Sequence, residues 1–185
     1  ALPVLCDPRN RERVRQRGES PEANMAFYAD AINEVVRGRP EGMTVCVHMC
    51  RGNRGQGMAS GGYDFIAERV FGELDVDGYL LEFDSPRAGT FDPLRHLPSD
   101  KMVVLGLISS KVPQLEDRAH IRKRLDDAAK IVPLDQLALS AQCGFASSVP
   151  GNPLTEADAI DGKLQIRITV CDKGGYPIKV GEVEL

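Results

Sequence analysis

Residues 44–53 of the chain are Thr44-Val45-Cys46-Val47-His48-Met49-Cys50-Arg51-Gly52-Asn53. The apolar run in this stretch predicts a strand over residues 43–50, which opens into a glycine-rich loop. Side chains two residues apart project from the same face of a strand, so His48 and Cys50 would emerge side by side. Imidazole and thiolate are ligands that zinc prefers. The pattern indicates half of a zinc site, and its alternative is a buried strand with an inert histidine and cysteine.

Two further predicted strands also end in side chains that can bind metal. Residues 78–84 read Gly-Tyr-Leu-Leu-Glu-Phe-Asp and place Glu82 and Asp84 on one face. An unpaired carboxylate inside such an apolar strand is costly, so we expect a metal, an arginine or a lysine beside Glu82. A strand predicted over residues 136–142 leads directly to Cys143. Between them, the apolar run 102–108 is typical of a parallel strand covered on both faces.

Helices are predicted between these strands. Ser20 and Pro21 have the features of an N-cap and a first helical residue, for a helix that ends near Arg37. Further helices are predicted over about residues 63–74 and between Pro113 and Pro133. The charged segment 7–19 is predicted to be a solvated loop or a short exposed helix. Strand and helix alternate through about four units, which predicts an α/β fold with candidate ligands at the carboxyl ends of its strands.

Composition limits the classes of function. A net charge of −4 over 185 residues gives no reason to expect nucleic acid or an anionic membrane as a partner. No apolar run approaches the roughly 20 residues that a membrane span needs. The five cysteines lack the spacing of a disulfide framework, which favours a reducing cytoplasm. Residues 51–62 carry five glycines and two arginines, which fits either a flexible connection or a loop that binds an anion.

Four stretches together resemble the cobalamin-independent methionine synthase family, and more closely its shorter single-domain homologues. They are residues 47–53, 78–84, 104–111 and 139–147, within a resemblance that covers about residues 1–165. The resemblance implies a barrel related to uroporphyrinogen decarboxylase, in which zinc binds a homocysteine-like thiol and a folate-type donor, methyltetrahydrofolate, supplies the methyl group. Related members alkylate other thiols. The implied zinc ligands are His48, Cys50, Glu82 and Cys143.

The other polar residues of these stretches are interpreted around that site. We expect Asp84, Arg51 and Ser109 to contact substrate, and we assign no catalytic residue beyond the metal ligands. Glu82 is the ligand that an incoming thiol would most readily displace. Cys46 shares the strand face of His48 and Cys50 but lies one step deeper, so we expect it in the core. His96 and His120 are expected at the surface.

The chain departs from the family pattern at both ends. A (β/α)8 barrel takes about 250 residues, so residues 1–163 would form only its C-terminal half, with the N-terminal half missing. In residues 164–185, apolar and polar residues alternate on both sides of the turn sequence at 172–175. This alternation predicts a β-hairpin in an atypical tail.

A half barrel would leave two sheet edges open, so we expect a homo-oligomer or pairing with a separate N-terminal half. Three functions are compatible with these residues and with the resemblance. The first is zinc-dependent transfer of a methyl or other alkyl group to a thiol. The second is a truncated, non-catalytic fragment that binds zinc or a partner. The third is chemistry of the decarboxylase type, against which a His-x-Cys motif with a distant cysteine argues.

Overall fold

Four parallel strands form one sheet in the computed structural model, which describes residues 2–52, 59–144, 152, 154–158, 170–171 and 177–178. The strands are β1 (Cys46–Met49), β2 (Gly78–Glu82), β3 (Met102–Ile108) and β4 (Leu137–Ala141). They pair in sequence order, each one parallel to the next. The predicted α/β fold of four strand–helix units is confirmed. β1 is shorter than predicted, and Cys50 lies one residue beyond its end.

Three of the four described α-helices follow a residue whose side chain caps them. The four are α1 (Pro8–Gln16), α2 (Pro21–Val36), α3 (Asp64–Glu73) and α4 (Arg118–Ala128), with short 3₁₀ helices at Leu2–Cys6, Pro86–Ala88, Asp92–His96 and Leu134–Gln136. Ser20 caps α2 as predicted, by accepting a hydrogen bond from the backbone N–H of Ala23. The charged segment 7–19 contains a short helix with no buried residue, which confirms the second of its two predicted forms. The helix expected after Pro113 begins later, because Asp117 is its N-cap.

The two faces of the sheet differ in their burial. We call the face that carries Tyr79, Leu81 and Leu105 the outer face, and the opposite one the inner face. On the outer face, these three residues are at most 1% exposed. The α3 residue Phe71 packs edge-to-face on the Tyr79 ring at a centroid distance of 5.1 Å. On the inner face, Cys46, His48 and Met102 are exposed, and Leu80 and Val104 are half-buried. The prediction that β3 is covered on both faces is therefore wrong at Met102 and Val104, because the described helices pack on the outer face.

A glycine permits the close approach of β2, β3 and β4 near their carboxyl ends. A Cβ atom at Gly106 would lie 2.8 Å from the Cα atom of Gln142 and 2.9 Å from the carbonyl oxygen of Leu81. The register between β3 and β4 shifts at the same point, between Gly106 and Ile108. The backbone N–H of Gln142 then donates to the carbonyl of Ile108 at 2.8 Å. Gly106 thus fixes where the chain leaves β4 towards Cys143.

The tail contains a short antiparallel pair of strands. β5 (Val170–Cys171) pairs with β6 (Pro177–Ile178) through the partners Val170 and Ile178. The predicted hairpin is confirmed at these four residues, whereas its turn and residues 164–169 lie outside the described residues. None of the described helices combines the length and the apolar character that a membrane-spanning helix requires.

Candidate metal centre

Three predicted ligands meet beside the carboxyl ends of β1 and β4. The ligand atoms of His48, Cys50 and Cys143 all lie within 4.8 Å of one another. His48 Nε2 is 3.5 Å from Cys143 Sγ. A tetrahedral zinc ion with bonds of about 2.0 Å to nitrogen and 2.3 Å to sulfur would hold such a pair about 3.5 Å apart. The separation and the donor types therefore fit zinc.

The curvature of the sheet brings these residues together. In a flat sheet the first and fourth strands would be about 14 Å apart, at roughly 4.8 Å for each strand step. His48 and Cys143 nevertheless come within 3.5 Å, although two strands separate β1 from β4. The sheet must therefore curl towards its inner face, as the wall of a barrel does, with the ligands at one rim.

The thiols of Cys50 and Cys143 have pKa values that are shifted in opposite directions. Hydrogen bonds from Cys143 and from His48 lower the pKa of Cys50 to about 4. The pKa of Cys143 is raised, because its thiol donates to Cys50. The hydrogen bond to Cys50 also raises the pKa of His48. The cluster therefore favours a thiolate at Cys50, and a metal bound there would favour the deprotonated form of both thiols.

The fourth predicted ligand, Glu82, lies in a buried network of cations. Its Oε2 accepts the backbone N–H of Arg51, and its Oε1 accepts from Arg87 and, at 3.3 Å, from Lys111 Nζ. Burial raises the pKa of Glu82, but the Arg51 N–H and the Lys111 charge outweigh it, so the net pKa is below its ordinary value. The arginine and lysine partners expected beside this carboxylate are confirmed. Glu82 is outside the three-ligand cluster, and its role as a ligand stays a prediction.

The three predicted substrate contacts are buried close to this network. Asp84 Oδ2 accepts from Lys111 Nζ at 2.7 Å, whereas its buried Oδ1 has no hydrogen-bond partner among the described residues. Ser109 Oγ accepts the backbone N–H of Lys111 at 3.2 Å. Arg51 is 1% exposed, and its guanidinium lies 4.1 Å above the centre of the Tyr63 ring. Asp84 therefore has a free acceptor atom, while Arg51 is held inside the protein.

Sequence reasoning missed two residues that connect these groups, Lys111 and Gln142. Lys111 Nζ donates to Gln142 Oε1 at 2.9 Å, and Gln142 Nε2 donates to Cys143 Sγ at 2.8 Å. A sequence signal was present, because both follow strands at their carboxyl ends, where the metal ligands also lie. An amide and an ammonium group are not usual zinc ligands, so the pattern of metal-binding residue types did not indicate them.

The sequence also predicts the burial of Cys46, His96 and His120. Cys46 is exposed, so the prediction that it lies in the core is wrong, because the inner face of β1 is open. His120 is exposed as expected, and His96 is half-buried at the end of a 3₁₀ helix. Residues 53–58 of the glycine-rich loop lie outside the described residues. Both predicted roles of that loop, as a flexible connection or as an anion-binding loop, therefore stay predictions.

Comparison with known proteins identifies relatives of the whole described sheet. Residues 7–152 match the family model described as cobalamin-independent synthase, catalytic domain. Two uncharacterized proteins of Bacillus subtilis (strain 168) are similar: YxjH is 48% identical over 155 residues, and YxjG is 42% identical over 158 residues. These matches take in 83% and 84% of the chain but 41% and 42% of the relatives. The chain thus spans about two-fifths of the length of the curated relatives it matches.

Two solved structures match this architecture over part of their length. A protein of Listeria monocytogenes, assigned as a vitamin-B12-independent methionine synthase, is 39% identical with a TM-score of 0.56. That match covers 70% of this chain and 37% of the other. A B12-independent methionine synthase from Shewanella sp. W3-18-1, solved in complex with selenomethionine, has a TM-score of 0.57 at 22% identity. It covers 74% of this chain and 39% of that chain, and it supports the fold alone.

Proposed function

The chain belongs to the cobalamin-independent methionine synthase catalytic-domain family, and from this premise we propose that it supports zinc-dependent transfer of a methyl or other alkyl group to a thiol. The observation that carries the proposal is the cluster of His48, Cys50 and Cys143 at one rim of the curved sheet. Catalytic zinc sites commonly have three protein ligands and one position for water or substrate. A cluster of three ligands suits that arrangement.

The donor set favours a reactive thiolate. Zinc bound there would supply the activation, because it deprotonates a coordinated thiol while leaving the sulfur nucleophilic. A free thiol has a pKa of about 8.5 and is mostly protonated at neutral pH. Cys50 and Cys143 would contribute two negative charges, so this site is more electron-rich than one built from three histidines. Both cysteines must be reduced, which favours a reducing compartment such as the cytoplasm.

Glu82 and its neighbours have separate proposed roles. Each carboxylate oxygen has two lone pairs, so Glu82 can accept hydrogen bonds and still approach the fourth metal position. We propose that it yields that position to the acceptor thiol. The free Oδ1 of Asp84 suits a donor such as the ammonium group of a homocysteine-like amino acid. Ser109 would contribute a hydroxyl, and the buried Arg51 would act only through Glu82.

The transfer reaction is tested with the zinc-loaded chain. Homocysteine is incubated with methyltetrahydrofolate, and separately with a simple alkyl iodide, and the loss of free thiol and the methylated product are measured. We expect alkylation to be faster than in buffer and to be abolished in Cys50→Ser and Cys143→Ser. Cys46→Ser is the matched control, since Cys46 is an exposed free thiol at the first residue of β1, lies outside the cluster and should leave the rate unchanged. Equal rates with and without the protein would reject the transferase proposal.

A second candidate function is a non-catalytic fragment that binds zinc or another chain. It is favoured by the exposed inner-face residues of the described sheet. Stoichiometric zinc without any thiol alkylation would select this candidate. In either case we propose that further polypeptide, such as a second copy, covers the open edges of the described sheet.

A further inference from the structure

We propose that Lys111 and Gln142 are positioning residues that orient the sulfur of Cys143 for metal binding. This inference rests on the proposed metal site but not on the transfer reaction. Neither residue is itself one of the three clustered ligands. Each acts through the next along a continuous chain of hydrogen bonds from the carboxylates of the β2 end to the sulfur that follows β4.

Lys111 is the fixed end of this chain. Its side chain is 8% exposed, and Nζ lies 2.7 Å from Asp84 Oδ2, 2.9 Å from Gln142 Oε1 and 3.3 Å from Glu82 Oε1. An ammonium group has three donor hydrogens and no acceptor, so these three contacts use its whole capacity. Two anionic partners compensate for burying the charge. The ammonium is therefore held in one place by groups on β2 and beyond its end.

The ammonium fixes the orientation of the Gln142 amide. Because Lys111 can only donate, the amide must present its oxygen to Nζ, and a rotation of 180° would oppose two donors. The hydroxyl of Ser110 lies 3.4 Å from the same oxygen. The amide nitrogen must then point the other way, where it lies 2.8 Å from Cys143 Sγ. Gln142 is 3% exposed, so the surrounding protein leaves its side chain little freedom.

The result is an N–H group aimed at the sulfur from a fixed direction. A donor favours a thiolate over a thiol, and it orients the sulfur lone pairs towards the remaining ligands. Removing a residue that hydrogen-bonds to a metal ligand typically lowers metal affinity by about 10- to 100-fold. Lys111 and Gln142 should therefore affect metal binding without contributing a metal ligand.

The test compares the zinc affinity of the full chain with that of Gln142→Glu and Lys111→Met, by competition with a chromophoric chelator. Gln142→Glu keeps an acceptor for Lys111 but replaces the N–H donor with a second acceptor. We expect it to weaken zinc binding by about 10- to 100-fold. We also expect it to shift the thiolate-to-metal charge-transfer band of the cobalt-loaded chain. Lys111→Met should change both quantities in the same direction, because the amide is then free to rotate.

Gln136→Glu is the matched control. Gln136 is also buried beside β4, but its Nε2 donates to the carbonyls of Pro98 and Lys101, far from the cluster. It should lower stability and leave the zinc affinity and the cobalt band as in the wild type. If Gln142→Glu does not fold, as circular dichroism would show, Gln142→Met removes the donor without adding charge and replaces it in the comparison.

Three results would overturn the inference. Zinc affinity and a cobalt band in the Gln142 variant that match the wild type would show that the amide does not act on the sulfur. An equal loss of affinity in Gln136→Glu would show that general destabilisation explains the effect. Failure of the wild-type chain to bind zinc would instead reject the proposed metal site, and the positioning role with it.

Discussion

At the scale of single residues, the candidate site depends on how buried charges are paired. Residue type and strand position were enough to predict the cluster of His48, Cys50 and Cys143, because all three lie near the carboxyl ends of β1 and β4. Sequence could not reveal that Lys111 would satisfy Glu82 and Asp84 together, since that depends on side-chain directions between neighbouring strands. The exposure of Cys46 was missed for a related reason. Alternation identifies the face of a strand but not whether another layer covers it.

Glu82→Gln tests the charge balance of the network. The substitution leaves Lys111 with fewer anionic partners in a buried site, and breaking such a pair typically costs about 3 kcal/mol or more. We expect the free energy of unfolding, measured in urea on the metal-free chain, to fall by about that amount. Glu68→Gln, at an exposed position of α3, should change it by less than about 0.5 kcal/mol. A buried Glu82 that can be neutralised without loss of stability would contradict this account. Weaker zinc binding in the same variant would support its role as a ligand.

Asp7→Asn gives a pH-dependent prediction. The Asp7 carboxylate accepts hydrogen bonds from the Arg9 side chain, the Arg9 backbone and the Ser60 backbone, which hold its pKa well below its usual value. A lowered pKa in the folded state stabilises the fold above the unfolded pKa of about 3.9, and this stability is lost as the pH falls through the folded pKa. We expect Asp7→Asn to cost about 1–2 kcal/mol at pH 7. Urea unfolding should show the difference shrinking below about pH 4, and a constant difference across that range would contradict the prediction.

At the scale of elements, local sequence determined most of the secondary structure. The N-cap at Ser20 and the apolar runs of β2 and β3 were sufficient to predict their elements. The start of α4 was misplaced, because both Pro113 and Asp117 can open a helix and only tertiary packing selects between them. The curl of the sheet, which brings β1 and β4 to the same metal site, has no local signal. It was expected only through the resemblance to a barrel family.

Gly106→Ala tests the close packing of β2, β3 and β4. The new methyl group would lie 2.8 Å from the Cα atom of Gln142, so the chain leading to Cys143 must shift. We expect a loss of about 1–3 kcal/mol in unfolding free energy and weaker zinc binding. Gly72→Ala is the control, since a Cβ atom at this position of α3 meets nothing within 4 Å and should raise helix stability. Unchanged zinc affinity in Gly106→Ala would show that the end of β4 tolerates displacement.

At the scale of the whole molecule, the described sheet has an open inner face and two strand edges. Beside the β1 edge, a groove of about 600 Å³ is lined by apolar residues of α2 and β1, among them Val35, Ile32 and Val47. Val35 is 83% exposed. Exposed apolar surface and unpaired strand edges are typical of surfaces that another chain covers. The sequence predicted the open edges from the number of strands, but not the position of this groove.

Val35→Glu tests whether the groove mediates association. We expect the wild-type chain of 20.2 kDa to sediment as an oligomer at micromolar concentration, and Val35→Glu to shift it towards the monomer. Leu134→Glu is the control, because Leu134 is 70% exposed but does not line the groove. A wild-type chain that stays monomeric at about 100 μM would contradict self-association.

The central claim is that residues from β1 and β4, at opposite edges of the sheet, bind one metal ion. Native mass spectrometry of the zinc-treated chain, after removal of unbound metal, tests it most directly, with Cys143→Ser measured beside it. We expect one zinc ion per chain in the wild type and none in the variant. A wild-type chain without zinc, or a variant that retains the same zinc content, would contradict it.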